Sequence, residues 1–228
     1  MQLNIVVYKY RIGLINMIAV LTGDLVNSTK MPNEKYTNVI DRIKSQPQAA
    51  NKKYQAIGEV YRGDEFQIQY PDPIHALKST LLIKLALHLS NFSSKPIQCT
   101  LSLAYGPHNI YDDKPNTSSG PVFIESGRAL EKSQRGELSL CFTQDSTNAE
   151  LQLLTQFLSH LLNRLTKTQA QLLYKYIDND FAEHKKISEI TGTTRQNISN
   201  RLGNIGAFLV RDYMNTINQK VTLLRDNS

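Results

Sequence analysis

The sequence predicts an α+β protein: a ferredoxin-like βαββαβ domain over residues 17–147, then an all-α domain with a helix-turn-helix over residues 148–228. Three observations predict this. Apolar runs with strand and helix periods alternate in the order strand, helix, hairpin, helix, strand. Near residue 147 the pattern becomes purely helical. Within the second part, a glycine turn separates two short amphipathic segments.

The first buried strand is Met17 to Leu21, ending in the acidic turn Thr22-Gly23-Asp24. It would project a carboxylate at the strand's end, where open sheets place their ligands. Residues 1–16 form an N-terminal extension, with a short strand over Ile5-Val6-Val7-Tyr8; Met17 is a second place where translation could begin. Pro32 opens a helix carrying Tyr36, Val39, Ile40 and Ile43 at helical spacing, and Pro47 is expected to interrupt it. A hairpin follows, from Tyr54–Tyr61 into Phe66-Gln67-Ile68-Gln69-Tyr70, turning at Arg62-Gly63-Asp64-Glu65. Pro71-Asp72-Pro73 ends it. Ala76 to Leu89 reads as a buried helix, Ile97 to Tyr105 as a strand, Pro107 to Gly120 as a surface loop, Val122 to Lys132 as a short helix, and Glu137 to Phe142 as a last strand.

In a βαββαβ sheet the first and third strands are neighbours, which brings Asp24 near Asp64 and Glu65. Three carboxylates at one sheet end suit a divalent ion held against a triphosphate. The segment Leu25 to Thr29, with Ser28, Thr29 and Lys30, offers donors for phosphate oxygens. The plain alternative is that Asp24 and Asp64 are turn residues and Glu65 is solvated.

From Asn148 an apolar stripe runs through Leu151, Leu154, Leu158, Leu161 and Leu165, and a supporting helix follows through Leu172, Leu173 and Tyr176. Then Lys186 to Leu202 reads as a helix-turn-helix: Ile187 and Ile190 face inward, Gly192 turns, Thr194 caps the next helix, and Ile198 and Leu202 anchor it. Arg195, Gln196, Asn197, Ser199, Asn200 and Arg201 are left outward, as a major groove requires, with Lys185 and Lys186 placed for phosphates. A solvated or protein-docking helical hairpin is the alternative. Phe208, Leu209, Tyr213, Met214 and Ile217 form a further apolar face, to close this small core or join two subunits.

The chain has 228 residues, 40% of them hydrophobic, enough to bury an ordinary core. The net charge of +6 suits an anionic partner and is spread over both halves, so charge selects neither. Cys99 and Cys141 lie in apolar runs and read as buried free thiols, which places the protein in the cytoplasm. No run is long enough to span a membrane, no secretory leader is evident, and the five histidines are not at metal spacing.

Thr22 to Ser28, Gly63 to Gln67, Leu101 to Gly106, and Gly120-Pro121-Val122-Phe123 with Arg128 resemble the SatD family and, more distantly, class III nucleotidyl cyclase and GGDEF domains. The resemblance implies a cyclase-like fold and Mg²⁺ or Mn²⁺ held with a nucleotide by Asp24 and Asp64, with Glu65 added by the GGDEF pattern and Arg128 facing the nucleotide. Ile124 stands where cyclases have an asparagine, and Arg62 where GGDEF domains have a second glycine, so the pattern implies a nucleotide pocket more than turnover. SatD-like chains often carry such a C-terminal segment. The combined expectation is a cytoplasmic, homodimeric, DNA-binding transcriptional regulator with a cyclase-like sensor or dimerisation domain. An Mg-dependent cyclase-type enzyme acting on ATP or GTP is the alternative, and a protein-interaction module a third.

Overall fold

Strand β1 (Met17–Leu25) lies at the centre of a five-stranded sheet. The computed structural model describes residues 17–61, 63–90, 96–145 and 147–226; the strand expected at Ile5–Tyr8, and Arg62 at the hairpin tip, lie outside them. With β2 (Ile57–Tyr61), β3 (Glu65–Tyr70), β4 (Cys99–Pro107) and β5 (Leu138–Phe142), the order is β2-β3-β1-β4-β5. β1 runs antiparallel to β3 and β4, and β5 parallel to β4.

Alternation along β1 sorts its side chains between two cores. Met17, Ala19, Leu21 and Leu25 join the main cluster with α1 (Asn33–Tyr54) and α2 (Ala76–His88). Ile18 and Val20 join a smaller one with Ala104, Cys141 and Val122 of α3 (Pro121–Lys132) on the opposite face. Leu21, Phe66, Leu101 and Leu103 are fully buried, each contributing about 1.5–3 kcal/mol of apolar transfer.

Five helices follow: α4 (Ala149–Asn163), α5 (Lys167–Asp178), α6 (His184–Thr191), α7 (Arg195–Asn204) and α8 (Ala207–Asp226). The main core crosses position 147 without a break, since Leu172, Leu173 and Tyr176 of α5 share a cluster with Leu81 and Leu85 of α2. Polar contacts cross there too: His88 Nε2 lies 2.8 Å from the Leu165 carbonyl, Lys53 pairs with Asp178 at 2.6 Å, and Lys78 pairs with Asp180.

Four local expectations need correction. α1 continues through Pro47 to Tyr54, so β2 begins only at Ile57. Pro47 is buried against Gly58 of β2, so packing offsets the hydrogen bond that its missing N–H withholds from the Ile43 carbonyl. Asp24 sits within β1 rather than in a turn, because both neighbouring strands extend beside it. Ile190 is 41% exposed; Ser188, bonded to the Lys185 carbonyl, takes the inward place beside Ile187. Of the apolar residues on α8, Met214 and Ile217 are buried while Leu209 is 69% exposed.

Both cysteines are free and buried, and burial pushes each thiol up to about 11. Among the described residues no helix is long and apolar enough to cross a membrane.

Candidate functional site

The sheet end formed by the last residues of β1, the β2–β3 turn and the first residues of β4 collects the acidic groups. Register places Asp24 directly opposite Glu65 on β3 and Thr100 on β4. Being an even position of β1, Asp24 projects on the α3 face, away from the main core. Register also pairs Tyr61 with Glu65 and Glu59 with Gln67, so Glu59, Tyr61 and Glu65 share that face.

Two loops lock this end together. The Asp64 carbonyl accepts from the Leu25 amide at 3.2 Å, and the Gln98 carbonyl from the Val26 amide at 3.0 Å. Asn27, in the left-handed region at φ 60, redirects the chain into a 3₁₀ turn over Ser28–Lys30. There the buried Ser28 hydroxyl donates to Asp64 Oδ2 at 2.5 Å. Gly63, at φ 86, has no Cβ where one would meet the Tyr36 hydroxyl at 2.6 Å. The Asp64 carboxylate is thus fixed beside the end of β1, with Thr29 and Lys30 exposed on the same turn.

The electrostatics follow from this crowding. Partial burial raises the Asp24 pKa above its usual value, and the charges of Asp64 and Glu65 push it further up. The Leu25 amide and the Arg135 guanidinium oppose the rise. Tyr61 is pushed up to about 12, chiefly by burial and then by Glu59 and Glu65. Such a patch favours a hard cation with oxygen ligands.

Among the described residues no three His, Cys, Asp or Glu side chains form a metal-holding group, so Asp24, Asp64 and Glu65 are not a closed three-ligand cage. Ser28 occupies one Asp64 oxygen. An open set of two carboxylates still fits Mg²⁺, which takes one or two carboxylates and completes its shell with phosphate and water.

Behind Asp24 a buried polar strut ties α3 to the sheet. Gln67 Nε2 donates to Thr22 Oγ1 at 3.0 Å, Thr22 Oγ1 lies 2.7 Å from Ser126 Oγ, and Ser126 donates toward the carbonyls of Val20 and Ser102. Arg128 lies on the same helix and is exposed there. It pairs with Glu125 at 3.2 Å and lines a shallow groove with Ser139 and Gln152, while Ile124 is 52% exposed. The cation whose field reaches Asp24 is Arg135, in the loop before β5. A lone arginine among polar residues offers no spacing signal, and sequence reasoning missed it, as it missed Glu59.

The second candidate lies on α6 and α7. Gly192 ends α6 in the left-handed conformation, Thr194 Oγ1 accepts from the Asn197 amide at 3.2 Å, and Ile187, Ile198 and Leu202 are fully buried. Arg195, Gln196, Asn197 and Asn200 are exposed on α7 and Lys185 and Lys186 on α6, whereas Ser199 and Arg201 are half-buried.

No family model matches the chain, and no curated protein matches it. Among solved structures, an adenylate cyclase from Trypanosoma brucei in its monomeric state superimposes with a TM-score of 0.50 at 11% identity, over 59% of this chain and 76% of that one. The guanylate cyclase domain of RhGC from Catenaria anguillulae, solved with GTP, gives 0.45 at 16% identity, over 55% and 78%. The adenylyl cyclase CyaB from P. aeruginosa gives 0.41 at 15%, over 54% and 74%. At 11% identity the likeness to the Trypanosoma brucei structure is one of fold, and it extends over 59% of this chain.

Proposed function

We propose that the acidic sheet end binds a nucleoside triphosphate together with Mg²⁺ or Mn²⁺, in the manner of a nucleotidyl cyclase domain on a ferredoxin-like sheet. The observation that carries this is the placement of Asp24 opposite Glu65 with Asp64 held beside them by Ser28. Asp24 and Asp64 hold the ion, and Glu65 adds negative potential behind it. When bound, the metal would neutralise the triphosphate and hold it against the sheet end. Thr29 and Lys30 supply phosphate donors from the 3₁₀ turn, and Arg135 brings positive charge from the other side. The SatD resemblance rests on the same motifs and leads to the same pocket. ATP and GTP are the substrates to try; Ile124 and the outward Arg128 leave turnover resting on the acidic pair alone.

The test is thermal unfolding with ATP or GTP and each metal. A rise in melting temperature that requires both nucleotide and metal, and vanishes in Asp24→Asn and Asp64→Asn, is expected. No shift with either nucleotide overturns the reading, and chromatography of the same mixtures shows whether a cyclic product forms.

A second reading, double-stranded DNA binding by a helix-turn-helix, is supported by the capped, outward polar face of α7. Binding that weakens steeply with salt, and is lost when Arg195 and Arg201 are both changed to Ala, is expected. Salt-independent binding, or none to DNA flanking its own gene, overturns it.

A further inference from the structure

The outer face of α4 presents large apolar side chains to solvent. Leu153, Leu154 and Phe157 are 53%, 55% and 66% exposed, and across the gap on α8 Leu209 is 69% exposed. Between the two helices runs an open groove of about 800 Å³, floored by Leu151, Leu158, Val210 and Ile217, with Tyr213 and Thr155 hydrogen-bonded at 2.6 Å beneath it. Large apolar side chains gathered this way mark a docking surface.

We infer that this face binds a second copy of the chain, with α4 packed antiparallel on α4 of the partner about a two-fold axis near residue 157. A small apolar ligand would fill the groove floor but leave the crest wet. Leu153 lies on the far flank of α4, where it lines a separate polar hollow with Arg135 and Asn163, so the apolar surface continues over the crest of the helix. Covering both flanks takes another protein surface.

The charges on the crest select its own copy. Exposed positions recur as Glu150, Leu153, Leu154, Phe157, His160 and Arg164, a stripe at helical spacing with the acid at the N-terminal end and the bases at the C-terminal end. Parallel pairing would set Glu150 against its own equivalent. Antiparallel pairing about residue 157 sets it against Arg164 of the partner subunit and Leu154 against the partner's His160, and each of these contacts occurs twice, as a two-fold interface requires. Phe157, the most exposed apolar side chain of the crest, then lies on the axis against its own equivalent. This inference is independent of nucleotide binding.

Sedimentation of the full chain across the micromolar range tests it. The wild type is expected to be a dimer. Phe157→Asp should weaken it on the order of 100-fold, since the change is felt twice across the axis. Glu150→Arg should weaken it roughly tenfold, and adding Arg164→Glu should restore most of the loss. All three side chains are exposed, so melting of the monomer should not change; Leu153→Asp gives the same readout should Phe157→Asp fold poorly. A monomeric wild type overturns the inference, including one whose groove takes up an aliphatic ligand. So does a dimer that survives both apolar substitutions and ignores the charge reversal.

Discussion

The Ser28 hydroxyl and the Asp64 carboxylate meet at 2.5 Å across 36 positions of sequence, and this bond joins the 3₁₀ turn after β1 to the hairpin between β2 and β3. Ser28 is buried, so the bond forms where water competes poorly. Ser28→Ala should cost about 1.5–3 kcal/mol, the range for hydrogen bonds to charged groups, read as a lower urea midpoint at unchanged slope. It should also weaken metal–nucleotide binding, because Asp64 loses its fixed orientation. An unchanged midpoint would mean that solvent replaces Ser28 without loss.

Asp24 gives a pH dependence of definite sign. Its folded-state pKa is raised above 3.8, so over the window just above that value the native protein holds more protons than the unfolded chain. The contribution to stability is present in acid and lost as pH rises through the folded pKa. At neutral pH the ionised carboxylate therefore opposes folding, and Asp24→Asn should melt higher than wild type. The gain is below about 1 kcal/mol because the group is exposed, and it should shrink toward pH 4. Mg²⁺ should narrow the same difference by stabilising the wild type alone. An Asp24→Asn protein that melts lower at neutral pH would show the carboxylate to be structural.

How much of this was legible in sequence depends on whether a feature lies in periodicity or in contact. That Asp24 would meet Glu65 followed from strand order alone, since alternation in the apolar runs fixes which strands are buried and the short hairpin fixes which are joined. That Asp24 would lie in a ladder did not follow, because Gly23-Asp24 has turn composition and only the reach of β3 and β4 keeps it extended. The passage of α1 through Pro47 depends on Gly58 of the next strand, a contact that local propensity cannot register. Thr194, Ile198 and Leu202 were readable because capping and helical spacing are local rules. Arg135 was not, because its relation to Asp24 exists only once the loop before β5 is folded onto that sheet end.

Gly23 tests whether the sheet end tolerates any added volume. A Cβ there would lie 2.4 Å from Phe66 Cζ and 2.8 Å from Leu101 Cδ2, and Phe66 is fully buried. Gly23→Ala should destabilise by about 1–3 kcal/mol through overpacking. Adding Phe66→Leu should recover part of that, which a double-mutant cycle would measure as a coupling between neighbours. Strict additivity would mean that the strands spread apart, in which case the Asp24–Glu65 pairing should loosen and metal–nucleotide binding weaken as well.

Lys84 ties α2 to the loop before β5. It is a buried lysine on α2 whose ammonium donates to the Gly136 carbonyl at 2.8 Å, beneath the loop that presents Arg135. Asn163 donates to the same carbonyl at 2.9 Å, and the Gly136 amide donates to Thr100 Oγ1 at 3.0 Å. Burial lowers the Lys84 pKa below 10.5, with the charges of Cys99 and Glu137 opposing. Between the folded pKa and 10.5 the unfolded chain therefore binds more protons than the native protein, and stability attributable to Lys84 rises with pH through that window. Lys84→Met should flatten this slope, and near neutral pH its cost should be small, because a methionine fills the space without a charge to desolvate and Asn163 still satisfies the carbonyl. Metal–nucleotide affinity should nonetheless fall, by up to roughly tenfold, as the Arg135 loop loses one of its anchors. Stability near neutral pH that is nearly unchanged alongside weakened binding is the signature of a positioning residue; a large loss of stability would instead place the ammonium among the groups that hold the fold.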